Sequence, residues 1–219
     1  MKQYHPKRIT LFSGHYGSGK TNIAVAFALW LREGGRDVTI ADLDIVNPYF
    51  RTKDSAEDLA RAGIRLISSA YANSNVDLPA LPAEIYALTG DKSRYAVIDV
   101  GGDDRGALAL GRLTPAILEE GNYESIFVAN FYRPLTQTAE DAYEVMQEIE
   151  AAGGIPFTAI VHNSNLGVET TPEDVMAKEE EAKRLAARAA LPLLFTAADA
   201  RIARDIPSAF PIQLQKKIT

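Results

Sequence analysis

The sequence contains 219 residues, with a formal net charge of −6 at neutral pH, three histidines and no cysteine. This composition excludes disulfides, thiol catalysis, iron–sulfur ligation and cysteine-bound metal clusters, and three histidines are too few to favour a histidine metal site. The acidic balance and the lack of a basic run do not favour nucleic-acid binding. The length suits one domain over residues 1–219, and without a long apolar run or an apolar leader we expect no membrane binding and a cytoplasmic location.

Extended and helical patterns alternate along the chain. Extended patterns predict strands at residues 8–13, 37–42, 64–68, 95–100, 125–130, 157–162 and 193–196. Helical patterns predict helices at residues 21–33, 56–62, 80–88, 115–120, 136–151 and 172–190. This alternation predicts an α/β fold: a mostly parallel twisted sheet of about seven strands with helices on both faces. Ligands of such sheets bind beyond the carboxyl ends of the strands.

A glycine-rich segment that fits the pattern G-x-x-x-x-G-K-[ST] joins the first strand to the first helix. Glycines let such a loop wrap tightly, so that its backbone N–H groups and the following helix N-terminus face one phosphate chain. Lys20 adds a full charge near the β- and γ-phosphates, and Thr21 adds a hydroxyl for Mg²⁺. The predicted nucleotide-binding residues are Gly14, His15, Tyr16, Gly17, Ser18, Gly19, Lys20, Thr21 and Asn22.

Carboxylates follow two other predicted strands. Asp42 and Asp44 leave the strand at 37–42, where one can hold a Mg²⁺-bound water and the other can orient an attacking water. Asp99 lies at the end of the strand at 95–100, and we expect it to hold the Mg²⁺ shell. Gly101 and Gly102 follow, and they can bring a backbone N–H against a γ-phosphate and move when that phosphate leaves.

These motifs, in this order, resemble the MinD/ParA class of P-loop ATPases, three-layer proteins that include the nitrogenase iron protein, Mrp-type and CooC-type metallochaperones and CobQ/CobB nucleotide-binding domains. The resemblance spans nearly the whole chain. It implies that Asp44 positions the attacking water, that Asp42 helps to hold the Mg²⁺ shell, and that Asn163 reads the adenine edge from the end of a strand. It also implies two switch segments, at residues 47–51 and 101–105.

The phosphate loop departs from this class at its second position. Most members carry a signature lysine there, which reaches the partner's phosphates in an ATP-bound dimer, whereas this chain has His15, followed by Tyr16 in place of a glycine. One hypothesis is that His15, Arg51 or Arg105 supplies the missing charge. The alternative, which we favour, is a conventional phosphate loop with His15 facing solvent, because a neutral imidazole is a poor substitute for a fixed cation.

The motifs and the resemblance together imply a Mg²⁺-dependent ATP-binding protein that hydrolyses ATP slowly and acts as a switch on an unidentified client protein. Lys20 and Asp44 would be catalytic, and Thr21, Asp42 and Asp99 would hold the metal. Three alternatives stay open: a small-molecule kinase, although no arginine-rich lid is evident, a non-catalytic nucleotide-gated adaptor, and an amide ligase like the CobQ/CobB relatives. Whether ATP drives homodimerisation also stays open.

Overall fold

Strands of a single sheet form the centre of the protein, for which a computed structural model describes residues 4–44, 56–68, 83–101 and 104–214. Within these ranges the strands are β1 (Ile9–Ser13), β2 (Val38–Asp42), β3 (Arg65–Ser68), β4 (Tyr95–Asp99), β5 (Tyr123–Ala129), β6 (Ala159–His162), β7 (Leu193–Asp199) and β8 (Phe210–Ile212). The α-helices are α1 (Lys20–Glu33), α2 (Ala56–Arg61), α3 (Ala87–Gly90), α4 (Asp104–Gly111), α5 (Thr114–Glu120), α6 (Ala139–Gly153), α7 (Pro172–Ala177) and α8 (Glu179–Ala189). Short 3₁₀ helices lie at Ala83–Tyr86, Gly167–Glu169 and Ala203–Asp205.

The sheet has the strand order β3-β2-β4-β1-β5-β6-β7-β8, and all of its neighbouring strands are parallel. This confirms the predicted fold class, with eight described strands in place of about seven. The chain moves to one side of β1 for β2 to β4 and to the other side for β5 to β8, so the carboxyl end of β1 is the point where the strand order reverses. Ligands of open parallel sheets bind at such a point.

The strand side chains divide between two faces because successive residues of a strand point in opposite directions. Phe12 and Val97 lie on the face that packs against α1 and α2. Leu11 and Ile98, one position away, pack against α4 and α5 on the opposite face, where α6 and α8 cover β5 and β6. Helices therefore cover both faces, as the apolar strand sequences predict.

Reciprocal capping residues set the starts of α6 and α7. Thr138 accepts a hydrogen bond from the Asp141 N–H, and the Asp141 carboxylate accepts one from the Thr138 N–H, so α6 begins three residues after the predicted start at 136. Thr171 and Asp174 make the same reciprocal pair at the start of α7.

Among the described residues, no helix is both long enough and apolar enough to cross a membrane.

The predicted helix at 172–190 is two helices, α7 and α8, which meet at Lys178. The Asp174 carbonyl accepts a hydrogen bond from the Tyr132 hydroxyl at 2.9 Å. The Lys178 N–H bonds to the Val175 carbonyl at 3.2 Å, three residues back, as in a 3₁₀ turn. A tertiary contact thus competes for a carbonyl that a continuous helix would use.

Helix α4 and strand β8 were not predicted. Helix α4 has two glycines among its eight residues, which weakens the helical pattern. Strand β8 has only three residues with Pro211 in the middle, which a strand tolerates at the edge of a sheet. Phe210 anchors β8 by packing its ring 5.0 Å from that of Phe195 on β7.

Candidate functional site

The glycine-rich segment forms a closed loop between β1 and α1. The Ser18 N–H donates to the His15 carbonyl at 3.0 Å, which closes a turn inside the segment. Gly17 has φ 75° and Gly19 has φ 87°, both in the left-handed region that glycine adopts without strain. Gly19 is the N-cap of α1, which begins at Lys20. The loop therefore leads directly into helix α1 at the carboxyl end of β1.

The loop buries Lys20 and Thr21, exposes Tyr16 and leaves His15 half-buried. Lys20 is 4% exposed and Thr21 is 6% exposed. The Ser18 hydroxyl is also buried and makes no hydrogen bond to the described residues. Tyr16 is 59% exposed, and the ring of the half-buried His15 lies 3.0 Å from the Tyr16 carbonyl through Nδ1.

Three acidic side chains converge beside this loop. Asp42 and Asp99 are register partners at the ends of the neighbouring strands β2 and β4. The Asp44 N–H donates to Asp42 Oδ1 at 2.9 Å, which fixes the turn that leaves β2. Asp44 Oδ2 lies 3.7 Å from Lys20 Nζ, and both of these side chains are almost completely buried. The structure therefore brings together four of the predicted catalytic and metal-binding side chains.

Asp99 is a completely buried carboxylate without a well-formed hydrogen bond. Neither of its oxygens accepts a well-formed hydrogen bond from the part of the chain that the structure describes. Burial, together with the nearby Asp42, raises the pKa of Asp99 to about 8, while Lys20 and the Thr21 hydroxyl act in the opposite direction. A carboxyl group in this position favours an added positive charge beside it.

Mg²⁺ fits this donor set, since it is a hard cation that binds carboxylate, hydroxyl, phosphate and water oxygens. Thr21, Asp42 and Asp99 are the residues that would hold it and its waters. The described residues contain no group of three or more His, Cys, Asp or Glu side chains arranged to bind a metal alone.

Asn163, predicted to read a base, lies directly behind the phosphate loop. Its side chain is buried, and its Nδ2 donates to the Ser18 carbonyl at 2.7 Å. A side chain at Gly19 would collide with the same amide. The ends of β6, β7 and β8 meet beside Asn163 around a small hollow, which is lined by Asn163, Ser164, Asn165, Gly167, Thr170, Val175, Ala198, Asp199, Ile212 and Leu214.

Sequence reasoning missed Arg133, which follows β5. Its Nε donates to the Gly17 carbonyl at 2.8 Å, and its guanidinium packs against Gly17, where an added Cβ would lie 3.3 Å from Nε. A signal was present, because an arginine follows the end of an apolar strand, the position at which the other site residues were found. The paired register of β1 and β5 places that end beside the phosphate loop.

Several predicted residues cannot be placed. Arg51, Gly102 and the first switch segment at 47–51 lie outside the described residues, as does the side chain of Arg105. Gly101 is described and lies buried just after β4.

No protein-family model and no curated protein sequence matches this chain. Solved structures do match it. FtsY from Thermotoga maritima aligns over 90% of this chain with a TM-score of 0.62 and 17% identity. The signal recognition particle receptor FtsY from Elizabethkingia anophelis, solved in complex with GDP, aligns over 91% with a TM-score of 0.56 and 16% identity. FtsY from Mycoplasma mycoides aligns over 91% with a TM-score of 0.57 and 14% identity.

This chain has the α/β fold of a P-loop NTPase. It spans about three fifths of the length of these FtsY chains, of which the alignments cover 63%, 59% and 62%. At such low identity the likeness concerns the fold alone. It does not distinguish the MinD/ParA class from other proteins with this fold, so that resemblance stays a prediction.

Proposed function

We propose that this protein binds ATP with Mg²⁺, hydrolyses it slowly and acts as a nucleotide-driven switch on a partner protein. The observation that carries the proposal is the convergence of Lys20, Asp42, Asp44 and Asp99 at a closed phosphate loop. An unpartnered buried carboxylate costs stability, and such groups cluster at functional sites. The cost at Asp99 is understandable if the site evolved around a cation that the nucleotide brings with it.

In the proposed reaction, the backbone N–H groups of the loop and Lys20 bind the phosphate oxygens and stabilise the charge that develops on the γ-phosphoryl group. Mg²⁺ neutralises charge on the β- and γ-phosphates when it is bound. Asp44 orients a water. The oxygen of that water bonds to the γ-phosphorus, the bond from the γ-phosphorus to the bridging oxygen breaks, and ADP, phosphate and a proton leave.

Asp44 also gives the site a way to sense its ligand. Lys20 lies 3.7 Å from Asp44 and is the cation expected to turn toward the phosphates. When Lys20 binds phosphate, its contact with the Asp44 carboxylate changes. The predicted first switch segment begins three residues later, at residue 47. A change at the phosphates would therefore be passed to that segment through Asp44.

The choice of ATP over GTP rests on the amide of Asn163. One N–H of its Nδ2 is engaged with the Ser18 carbonyl, and we infer that its amide oxygen meets the base. An oxygen acceptor suits the amino group of adenine, whereas guanine presents a carbonyl oxygen at the corresponding position. The FtsY from Elizabethkingia anophelis was solved with GDP, so guanine nucleotides are the competitor to test.

Nucleotide binding and phosphate release by the purified protein test the proposal. We expect the wild type to bind ATP with Mg²⁺ more tightly than GTP, and to release phosphate in a reaction that a chelator stops. Asp44→Asn should bind ATP but lose about 100-fold in turnover, because it no longer orients the water. Asp58→Asn, an exposed acid on α2, is the matched control and should behave like the wild type. Failure to bind any nucleoside triphosphate would overturn the proposal.

The same assays separate the three alternatives. A small-molecule kinase would release ADP only when an acceptor metabolite is added, and an amide ligase only when a carboxylate substrate is added. A nucleotide-gated adaptor would bind ATP tightly and show the same negligible turnover with and without the Asp44→Asn change. ATP-dependent homodimerisation and the client protein are further parts of the proposal, and light scattering with and without ATP and Mg²⁺ would test the first of them.

A further inference from the structure

Arg133 is fastened to the phosphate loop from a different part of the chain. The contact joins Nε of Arg133 to the carbonyl of Gly17 at 2.8 Å, across 116 positions in sequence. The flat guanidinium packs on Gly17, where the lack of a side chain lets it approach closely. The two Nη nitrogens make no hydrogen bond or ion pair with the described residues. Arg133 thus uses one donor for anchoring and keeps its remaining donors at the rim of the loop.

The segment that carries Arg133 is held rigidly. Asn130 accepts three hydrogen bonds from this segment. Its carbonyl accepts from the Thr136 hydroxyl at 2.7 Å and from the Arg133 N–H at 3.2 Å. Its Oδ1 accepts from the Tyr132 N–H at 3.0 Å. The Phe131 N–H donates to the Ser164 hydroxyl at 3.0 Å, which ties the segment to the end of β6. A side chain on so constrained a loop is oriented before any ligand arrives, which favours precise positioning.

The charge of the site calls for a second cation. Lys20 is the one positive side chain that the described structure places among Asp42, Asp44 and Asp99, and it lies beside Asp44. With these carboxylates ionised around Mg²⁺, one lysine and one divalent ion only balance the three acids. The negative charge of a nucleoside triphosphate would then be stabilised only by the N–H groups of the loop. His15, at the position where a cation was considered from sequence, turns its ring to its own loop carbonyl.

Two other arginines of the protein are paired with carboxylates, as is expected for a structural role. Arg8 lies against Glu120, and Arg201 forms an ion pair with Asp199 at 3.0 Å. Arg133, by contrast, meets no described carboxylate, although it lies against the predicted phosphate loop at Gly17. An arginine in that place, with free forked donors, suits the terminal phosphate groups of a nucleotide.

We propose that Arg133 is a catalytic residue of the proposed hydrolysis: anchored through Nε to the Gly17 carbonyl, it binds the terminal phosphates through its Nη nitrogens and supplies, within the same chain, the cation that His15 does not. This inference rests on the proposed function. It differs from a simple clamp on the loop, because a clamp would support triphosphate and diphosphate binding equally, whereas a charge at the terminal phosphate acts on the triphosphate and on its transition state.

Arg133→Gln separates these two roles, since the glutamine amide can still donate to the Gly17 carbonyl but carries no charge. The measurements are dissociation constants for ADP and for a non-hydrolysable ATP analogue, each with Mg²⁺, and the turnover number for ATP. We expect Arg133→Gln to reduce the preference for the triphosphate analogue over ADP about tenfold, and to lower turnover about 100-fold. Arg133→Lys should recover part of both losses, because it restores the charge without the fork.

Arg188→Ala is the matched control, because Arg188 of α8 stacks over Tyr143 of α6 and lies in none of the groups described for the site. It should match the wild type in all three measurements. Equal weakening of both nucleotides by Arg133→Gln, with unchanged turnover at saturation, would reduce Arg133 to a clamp and overturn the inference, as would no change at all. Failure of the proposed function has a different signature, because then the wild type itself would bind neither nucleotide.

Discussion

Two buried charged side chains, Arg8 at the amino ends of the strands and Asp99 at their carboxyl ends, differ in how many hydrogen-bond partners surround them. Arg8, at the start of β1, is surrounded by acceptors: the Glu120 carboxylate, the Leu88 carbonyl at 3.0 Å and the Arg94 carbonyl at 2.9 Å. Asp99, at the end of β4, has no well-formed hydrogen bond among the described residues. The buried charge at the amino ends of the strands is therefore satisfied within the chain, whereas the one at the carboxyl ends has no such set of acceptors or donors among the described residues.

Breaking the satisfied pair should have the largest effect on stability. Arg8→Met leaves Glu120 buried without its partner, so we expect the free energy of unfolding to fall by about 3–5 kcal/mol. Chemical denaturation measures this loss. Arg61→Met, which removes an exposed ion pair with Asp58, should change stability by less than about 1 kcal/mol. A similarly small change in both variants would mean that the amino ends of the strands are not stabilised by this pair.

His162 extends the comparison to a buried group that stays neutral. Burial lowers the pKa of His162 to about 4, with Glu179 acting in the opposite direction. Between pH 6.5 and pH 4 the unfolded chain binds a proton that the folded chain does not, so stability is lost as the pH falls through this window. The loss amounts to about 3 kcal/mol by pH 4. His162→Leu should flatten that part of a plot of unfolding free energy against pH, whereas the same change at the exposed His5 should not. An unchanged slope in His162→Leu would refute this.

The smallest expected change tests the unsatisfied carboxylate directly. Asp99→Asn removes a buried carboxylate that lacks a partner, so we expect the protein without metal or nucleotide to gain about 1–3 kcal/mol in stability. Thermal unfolding with and without Mg²⁺ and ATP measures this, and the variant should lose the stabilisation that the ligands give to the wild type. A clear loss of stability in the absence of ligand would show that Asp99 has an internal role like that of Arg8.

The parts of this molecule that could be predicted from sequence are those with local causes. The phosphate loop has a fixed spacing, and the apolar strands and the caps of α7 can be recognised from neighbouring residues. The adjacency of Asp42 and Asp99 followed from a general rule, because carboxyl ends of parallel strands share one edge. By contrast, the strand order, and with it the place of Arg133 beside Gly17, depends on packing between segments far apart in sequence. The interruption at Lys178 depends in the same way on Tyr132.

The hydrogen bond from Asn163 to the Ser18 carbonyl has a consequence for anyone who wishes to redesign this protein. Under the proposed function, this amide would both meet the base and support the phosphate loop, so the two halves of a nucleotide would not be read independently. A substitution of Asn163 that is chosen to change the preferred base would then also weaken phosphate binding. Attempts to change selectivity should therefore begin at the more distant wall of the hollow, around Asp199 and Ile212, and leave Asn163 in place.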